Sequence, residues 1–139
     1  SGKDALTDGL RGSSNHRDGY WQGFHGSDLD IIIDLGQEQP VNSVQTNFLF
    51  SQKSWIFLPE LVEYSLSGDG KKYHSFNEVF HKVSPKEEKT IIHPFNFQFR
   101  ENTKARFIRV KAKNPAKCPS WHEGAGEPCW IFSDEIVVF

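Results

Sequence analysis

Hydrophobic and polar residues alternate along much of this chain. The clearest run lies at 29–35, where leucine and isoleucine take every second position with Asp30 and Asp34 between them. Successive side chains of an extended strand point to opposite faces, so a period of two predicts a strand with one buried face. Gly36 is expected to end this strand. The same pattern predicts strands at 44–50, 62–66, 95–99, 106–113 and 135–139.

The stretches between these runs carry turn-forming residues. Residues 1–27, rich in Gly, Ser, Asn and Asp, predict a long loop or a set of turns. Ser-Gly-Asp-Gly at 67–70 predicts a tight turn, followed by a fourth strand near 79–83. The charged residues 84–89 predict a surface loop, and residues 114–129, with three prolines and both cysteines, predict another. Short strands without a helical period favour an antiparallel all-β sandwich or barrel.

The composition limits the classes of function. A length of 139 residues suits one domain, which can bury a core without a metal or a disulfide. The net charge is -2 and the sequence shows no basic stripe, which argues against nucleic acid and acidic membranes as partners. Aromatic residues make up 14% of the chain, an excess that suits both strands and flat recognition surfaces.

Seven short motifs occur in order along nearly the whole chain. They are ALTDG at 5–9, WQGF at 21–24, IDLG at 33–36, WIFLP at 55–59, SGDG at 67–70, ARFIRV at 105–110 and DEI at 134–136. Together they resemble the coagulation factor 5/8 type C (discoidin-like) family and, more narrowly, carbohydrate-binding module family 32. With WHEGAG at 121–126 the chain is similar to the modules at the end of Bacteroides-type β-N-acetylhexosaminidases (chitobiase-like enzymes).

The resemblance implies a fold and a role. The expected fold is a jelly-roll β-sandwich of antiparallel sheets (galactose-binding-domain-like), with residues 1–139 forming a single domain excised from a larger enzyme. The expected role is non-catalytic: a carbohydrate-binding module that targets a tethered glycoside hydrolase to galactose- or N-acetylhexosamine-containing glycans. The implied partners are the glycan and the linked catalytic domain, for a monomer located outside the cell, on its surface or in the periplasm.

The resemblance also implies a structural calcium ion between the N-terminal loop and the last strand. Calcium takes six to eight oxygen ligands. The matching positions are the side chains of Asp8, Glu135 and Ser13 and the backbone carbonyls of Ala5, Leu10 and Asp134. From the residues alone, Asp8 before a glycine also fits an ordinary turn, and Glu135 fits an exposed strand edge.

A sugar site needs an aromatic ring for the apolar face of the sugar and polar side chains for its hydroxyls. Three loops combine both, at 15–21, 51–55 and 120–126, and the resemblance implies that they lie at one end of the sandwich. The candidate sugar-binding residues are Trp121, His122, Trp55, Glu123, His16 and Arg17.

Each candidate has a structural alternative. Trp121 stands among polar residues and glycines, which favours an exposed ring, whereas Trp55 precedes two apolar residues and fits burial equally well. Trp130 is expected in the core. His122 fits a cap within its loop, and His16 and Arg17 fit solvated loop residues. Arg109, by contrast, lies in a strand and is expected to pair with a carboxylate across the sheet.

Cys118 and Cys129 bracket the third loop with ten residues between them. A disulfide there would make the loop rigid and would suit an extracellular or periplasmic setting. A reduced pair is the alternative, and the spacing does not decide between them. Two cysteines with one nearby histidine are too few ligands for a zinc site.

Two rival classes of function remain. An enzyme would need paired carboxylates, but Asp28, Asp30 and Asp34 are expected on the solvated face of a strand, and Glu123 has no obvious partner in the sequence. The second rival is a discoidin-like domain that binds protein or phospholipid, or a structural spacer. Lys53 near the apolar residues 55–57 permits phospholipid binding.

Overall fold

The computed structural model describes residues 22–139, so predictions that fall on residues 1–21 lie outside it. The described residues form two antiparallel sheets of four strands each. In chain order the strands are β1 (Gln22–His25), β2 (Leu29–Pro40), β3 (Ser43–Phe50), β4 (Val62–Ser67), β5 (His74–Val79), β6 (Ile91–Gln98), β7 (Lys104–Ala112) and β8 (Trp130–Val138). One sheet has the order β1-β8-β3-β6 and the other β2-β7-β4-β5. The predicted all-β sandwich is confirmed.

Alternate residues of the strands fill the space between the two sheets. In the first sheet β3 supplies Val44, Phe48 and Phe50, and in the second β7 supplies Ile108 and Val110, all fully buried. Burial of side chains of this size stabilises the fold by about 1.5–3 kcal/mol each. The apolar residues that recur at every second position in the sequence are therefore the ones that form the core.

Tyr64 of β4 joins the two sheets by hydrogen bonds across the core. Its hydroxyl lies 2.7 Å from the carbonyl oxygen of Phe95 in β6 and 2.9 Å from the hydroxyl of Thr46 in β3. A carbonyl can only accept, so the Tyr64 hydroxyl donates to Phe95 and accepts from Thr46. Burial raises the pKa of Tyr64 well above its usual range, so the phenol stays protonated and keeps this donor.

The prediction that Gly36 ends the first strand is wrong. β2 continues to Pro40, and its register with β7 shifts between Asp34 and Gln39. Gly36 has a φ of +90°, a conformation that side chains with a Cβ rarely adopt. The glycine therefore marks a bulge inside a longer strand.

Four other boundaries also differ from the prediction. β5 precedes the expected strand at 79–83, β6 and β8 begin earlier than expected, and β1 lies within the predicted loop 1–27. β1 exists because it pairs with β8, where Gly23 lies opposite Phe132. A Cβ on Gly23 would lie 2.9 Å from the Phe132 ring, so glycine permits this close approach. These boundaries depend on pairing with a neighbouring strand, which a short stretch of sequence such as the four residues of β1 does not reveal.

The loops that follow β3, β5 and β7 meet at one end of the sandwich. The last residue of β3, Phe50, pairs with the first residue of β6, Ile91. β8 begins beside the same point, because Trp130 forms a bridge with Ile56. The structure thus brings residues 51–56, 80–90 and 113–129 together. Across the described residues, there is no helix long and apolar enough to cross a bilayer.

Candidate functional site

The loop after β3 is short and tightly closed. Ser51 and Ile56 exchange backbone hydrogen bonds of 2.9 and 3.0 Å, with a single 3-10 turn, Gln52–Ser54, between them. Trp55 completes this turn with a φ of 64°, in the left-handed region. Its carbonyl accepts a 2.9 Å hydrogen bond from the Trp130 amide. The backbone therefore fixes the direction in which the Trp55 indole projects.

The loop between β7 and β8 is closed at its base by backbone pairing. The Cys118 amide donates to Glu127 over 2.8 Å, and the Cys129 amide donates to Ala116 over 3.2 Å. Asn114 also secures this base, because its side-chain amide donates to the carbonyls of Phe24 and Ser27 over 3.0 Å each. The loop is therefore anchored to the first sheet as well as to itself.

The two loops meet where Trp55 packs against Gly124. A Cβ placed on Gly124 would lie 2.9 Å from two atoms of the Trp55 indole. The indole nitrogen of Trp55 donates to Oε1 of Glu123 over 3.5 Å. Glycine at 124 thus allows a contact that in turn positions a carboxylate at the surface.

His122 lies at the centre of this junction. Its Nδ1 accepts a 3.0 Å hydrogen bond from the Gly124 amide, so the proton of a neutral ring is on Nε2. Nε2 then donates to the carbonyl of Gln52 over 2.6 Å. The ring also makes edge contacts with three aromatic rings, at centroid distances of 5.8 Å to Trp55, 5.7 Å to Trp121 and 5.3 Å to Phe57.

A shallow depression of about 480 Å³ lies above this junction. Its lining residues are Gln52, Lys53, Glu88, Trp121, His122 and Glu123. Trp121 is 40% exposed, which leaves much of its ring available to a ligand. The ammonium group of Lys86 lies 5.7 Å from the centroid of the Trp121 ring, close enough for a cation–π contact. The depression therefore combines an aromatic surface with carboxylate, amide and ammonium groups.

Four of the six predicted sugar-binding residues come together here. Trp121 and Glu123 reach the surface, while Trp55 is half-buried beneath them. His122 is buried and uses both ring nitrogens inside the protein, which favours the alternative of a loop-organising role. The other two, His16 and Arg17, lie outside the described residues.

Sequence reasoning missed the contribution of the loop between β5 and β6. Lys86 and Glu88 lie in a charged stretch that reads as an ordinary surface loop. The structure places Glu88 in the wall of the depression and Lys86 beside Trp121. No local signal marks either residue, since only the pairing of β6 with β3 brings their loop to this end.

The predicted calcium ligands fall mostly outside the described residues. Asp8, Ser13, Ala5 and Leu10 precede residue 22, and the Glu135 side chain is not described either. Asp134 is buried in β8, where its Oδ2 accepts from the Asn47 side chain over 3.5 Å. Its carbonyl accepts from the Ser133 hydroxyl over 3.2 Å. Within residues 22–139, no three His, Cys, Asp or Glu side chains are grouped for a metal.

The aspartates of the rival enzyme hypothesis serve as structural partners. Arg109 binds the two carboxylate oxygens of Asp30 over 3.0 and 2.8 Å, which confirms its predicted carboxylate partner. These hydrogen bonds hold the pKa of Asp30 below its usual value. Arg106 binds Asp34 in the same way, and Asp28 accepts from the Asn114 amide.

The two cysteines lie in the loop between β7 and β8, and Trp130 is the first residue of β8. Trp130 is half-buried: it packs against the small buried cluster of Leu49 and Ile56, and it stacks on the His25 ring at 4.5 Å. Cys118 and Cys129 are free thiols, both buried. Burial raises the pKa of Cys118, and it raises that of Cys129 to about 11. Both thiols are therefore protonated near neutral pH.

The family model of the F5/8 type C domain matches residues 2–127. This chain belongs to the F5/8 type C domain family. The match includes the loops of the depression and seven of the eight strands, and it ends just before β8. No curated protein matches the sequence.

Several solved structures are similar to this F5/8 type C domain, and the first of them shares its fold. The family 32 carbohydrate-binding module of AlyQ, solved in complex with 4,5-unsaturated mannuronic acid, is 19% identical, with a TM-score of 0.51 over 99% of this chain and 84% of that one. Chitosan-binding module 1 from a Paenibacillus sp. IK-5 chitosanase/glucanase is 16% identical, with a TM-score of 0.49 over 96% and 89%. The C-terminal domain of a Bacteroides fragilis chitobiase is 17% identical, with a TM-score of 0.40 over 81% and 66%.

Proposed function

We propose that this domain binds carbohydrate in the depression around Trp121. The observation that carries the proposal is an exposed indole beside the Glu123 carboxylate, on one loop that hydrogen bonds from Trp55 and to Gln52 tie to the loop after β3. The indole offers a flat surface to the C–H face of a sugar ring. Glu123, Gln52 and Lys53 offer acceptors and donors for its hydroxyls.

The proposed ligands are glycans that end in galactose or an N-acetylhexosamine. An open, shallow site buries few atoms of a sugar, so we expect dissociation constants from millimolar to tens of micromolar. Such affinities suit a module linked to a glycoside hydrolase of the β-hexosaminidase type, because the linkage raises the effective concentration of the enzyme near its substrate. The proposed location is accordingly extracellular, at the cell surface or periplasmic, with the domain acting as a monomer.

The domain is proposed to have no catalytic activity of its own. The depression is shallow and open to solvent, which suits the binding of a sugar at the surface. Glu123 is hydrogen-bonded to Trp55, which gives its carboxylate a fixed position as an acceptor. Incubation with chromogenic glycosides of the bound sugar is expected to release no chromophore above the rate in buffer, and measurable turnover would contradict the proposal.

A glycan array probed with the domain tests the proposal, followed by NMR titration of the best ligand. Saturable shifts of the Trp121 and Trp55 indole signals are the expected result. Trp121→Ala should weaken binding at least ten-fold, because the stacking surface is lost. Phe76→Ala is the matched control, since it removes another exposed aromatic ring, 59% exposed on β5, outside the depression. Equal binding by wild type and Trp121→Ala would show that the site lies elsewhere.

The alternative of phospholipid binding loses its sequence basis in the structure. It relied on apolar residues exposed beside Lys53, but Ile56 and Phe57 are buried and Trp55 is half-buried. A domain that binds protein or acts as a spacer is the remaining alternative. If the array gives no glycan ligand, that alternative replaces the proposal.

A structural calcium ion is part of the proposal, with the ligands that the family resemblance implies. Its support is the resemblance itself and the presence of Asp134 and Glu135 in the last strand. Calcium would order the N-terminal loop rather than take part in binding chemistry. The expected result is a Tm that rises on addition of calcium after EDTA treatment and does not rise for Asp8→Asn. A Tm that calcium leaves unchanged in wild type would remove the ion from the proposal.

A further inference from the structure

A second concave surface, which we call the apolar groove, lies next to the depression. Its floor consists of Phe50, Phe57 and Leu58, and its walls include Val83, Pro85 and Pro119. The groove has a volume of about 240 Å³. Its floor residues are among the most buried of the protein, so the groove has a rigid base.

The groove and the depression are two sides of one ridge. Phe57 of the floor contacts the His122 ring at 5.3 Å, and Trp121 contacts the same ring from the depression. The carbonyl of Pro119 accepts from the His122 amide over 3.0 Å. A ligand that lies on Trp121 can therefore extend over this ridge into the groove.

The opposite loop connects the two surfaces in the same way. Pro85 lines the groove, while the next residue, Lys86, lies beside the Trp121 ring. The carbonyl of Lys86 accepts from the side chain of Gln52, which lines the depression, over 3.5 Å. The two sites are thus continuous through both of the loops that form them.

The lining of the groove selects against a second sugar ring. Its polar side chains are Glu60 and His81 at the rim, and both have partners in the protein. Glu60 pairs with Lys113 at 3.4 Å, and Nδ1 of His81 accepts from the Val83 amide over 3.0 Å. Over the apolar floor, by contrast, the hydroxyls of a sugar would lose water without gaining hydrogen bonds, which is unfavourable.

An aromatic ring fits this groove in both size and chemistry. A dry apolar cavity of about 150 Å³ is large enough to bind benzene, and the groove is larger. The aromatic floor, Phe50 and Phe57, allows edge-to-face and offset packing with such a ring. We propose, on the basis of the carbohydrate-binding function above, that the groove is a subsite for the aromatic aglycone of a glycoside whose sugar lies on Trp121.

Calorimetry with paired glycosides tests the subsite. The probes are the methyl and p-nitrophenyl glycosides of galactose and of N-acetylglucosamine, in both anomers. We expect the p-nitrophenyl form of the preferred sugar to bind about ten-fold more tightly than its methyl form, because an aryl ring leaves water. Equal affinity of the two forms, with the methyl glycoside binding at Trp121, would overturn the subsite and leave the carbohydrate-binding function intact. Binding of neither form, nor of any glycan, would overturn both.

A groove-filling variant distinguishes this subsite from stacking of the aryl group on Trp121 itself. Val83→Phe should abolish the difference between the aryl and methyl forms and leave the methyl affinity unchanged. Ser84→Phe is the matched control, since it adds the same ring to an exposed neighbour outside the groove lining. If Val83→Phe does not fold, nuclear Overhauser contacts from the aryl protons in wild type decide. Contacts to the Leu58 and Val83 methyl groups support the subsite, and contacts to the Trp121 ring alone overturn it.

Discussion

At the scale of single residues, the exposed side chains of the candidate site are positioned by buried contacts of His122 and Gly124. His122 is mostly buried below the depression that it lines, and it joins the carbonyl of Gln52 to the amide of Gly124. Gly124 in turn lets the Trp55 indole lie against the loop backbone. The exposed pair, Trp121 and Glu123, therefore takes its geometry from neighbours that touch no ligand.

Gly124→Ala should disturb this arrangement with a single methyl group. The new Cβ would lie 2.9 Å from the Trp55 indole, so the indole must move and Glu123 loses its hydrogen-bond donor. We expect a loss of about 1–3 kcal/mol in the free energy of unfolding and weaker glycan binding, measured by chemical denaturation and NMR titration. Gly68→Ala is the control, because its Cβ would meet only the flexible end of Glu38 at 3.2 Å. Equal stability of the two variants would show that the Trp55 contact is not tight.

At the scale of elements, the loop between β5 and β6 is held to the sandwich by a histidine pair. His81 contacts the His93 ring of β6 at 6.0 Å, and both rings pack edge-on against Phe95. Burial lowers the pKa of His81, and the positive charge of His93 would lower it further. Burial lowers the pKa of His93 as well. The neutral forms of both rings therefore suit this packing.

These shifts predict a stability that falls in mildly acidic solution. In the unfolded chain both imidazoles have a pKa near 6.5, so below about pH 7 the unfolded state takes up protons before the folded state does. The free energy of unfolding should therefore decrease as the pH falls through 6.5 towards the lower pKa values of the folded state. Thermal unfolding from pH 7.5 to 5 should show this decrease, and the double variant His81→Gln/His93→Gln should show less of it. His74→Gln, which changes an exposed histidine, is the control. If the double variant lost stability with falling pH as steeply as this control does, the assignment to His81 and His93 would be contradicted.

The element scale also shows what alternation can and cannot predict. The runs at 29–35 and 44–50 lie within real strands, and the run at 106–113 overlaps β7 up to Ala112, because each has one face in the core. β1 and the first half of β8 have no such clean period, since Trp130 and Phe132 line the outer face of their sheet beside β1. Their strand character comes from a partner distant in sequence, which no local window contains.

At the scale of the whole molecule, two sheets are joined by an apolar core and one buried polar link. Tyr64→Phe removes the hydroxyl that donates to Phe95 and accepts from Thr46. We expect a loss of about 1–2 kcal/mol in the free energy of unfolding, measured by urea denaturation, because buried partners are left without a bond. Tyr73→Phe is the control. The buried Tyr73 hydroxyl has no hydrogen-bond partner within residues 22–139, so its removal should be neutral or stabilising. If both variants changed the free energy of unfolding equally, the hydrogen bonds of Tyr64 would not be a specific source of stability.

Alternation and motif order were enough to predict the class of fold, the family and the two loops that carry the main candidates. Alternation is a local pattern, because each strand must present one apolar face to the core. The short motifs follow the order of the strands, so they can also be recognised along the linear sequence. Which candidates are exposed depends instead on how the loops pack against one another. His122 is buried because rings from two loops and the core close around it, and Lys86 and Glu88 join the site because β6 pairs with β3. Such contacts depend on packing between distant segments, which a linear pattern does not encode.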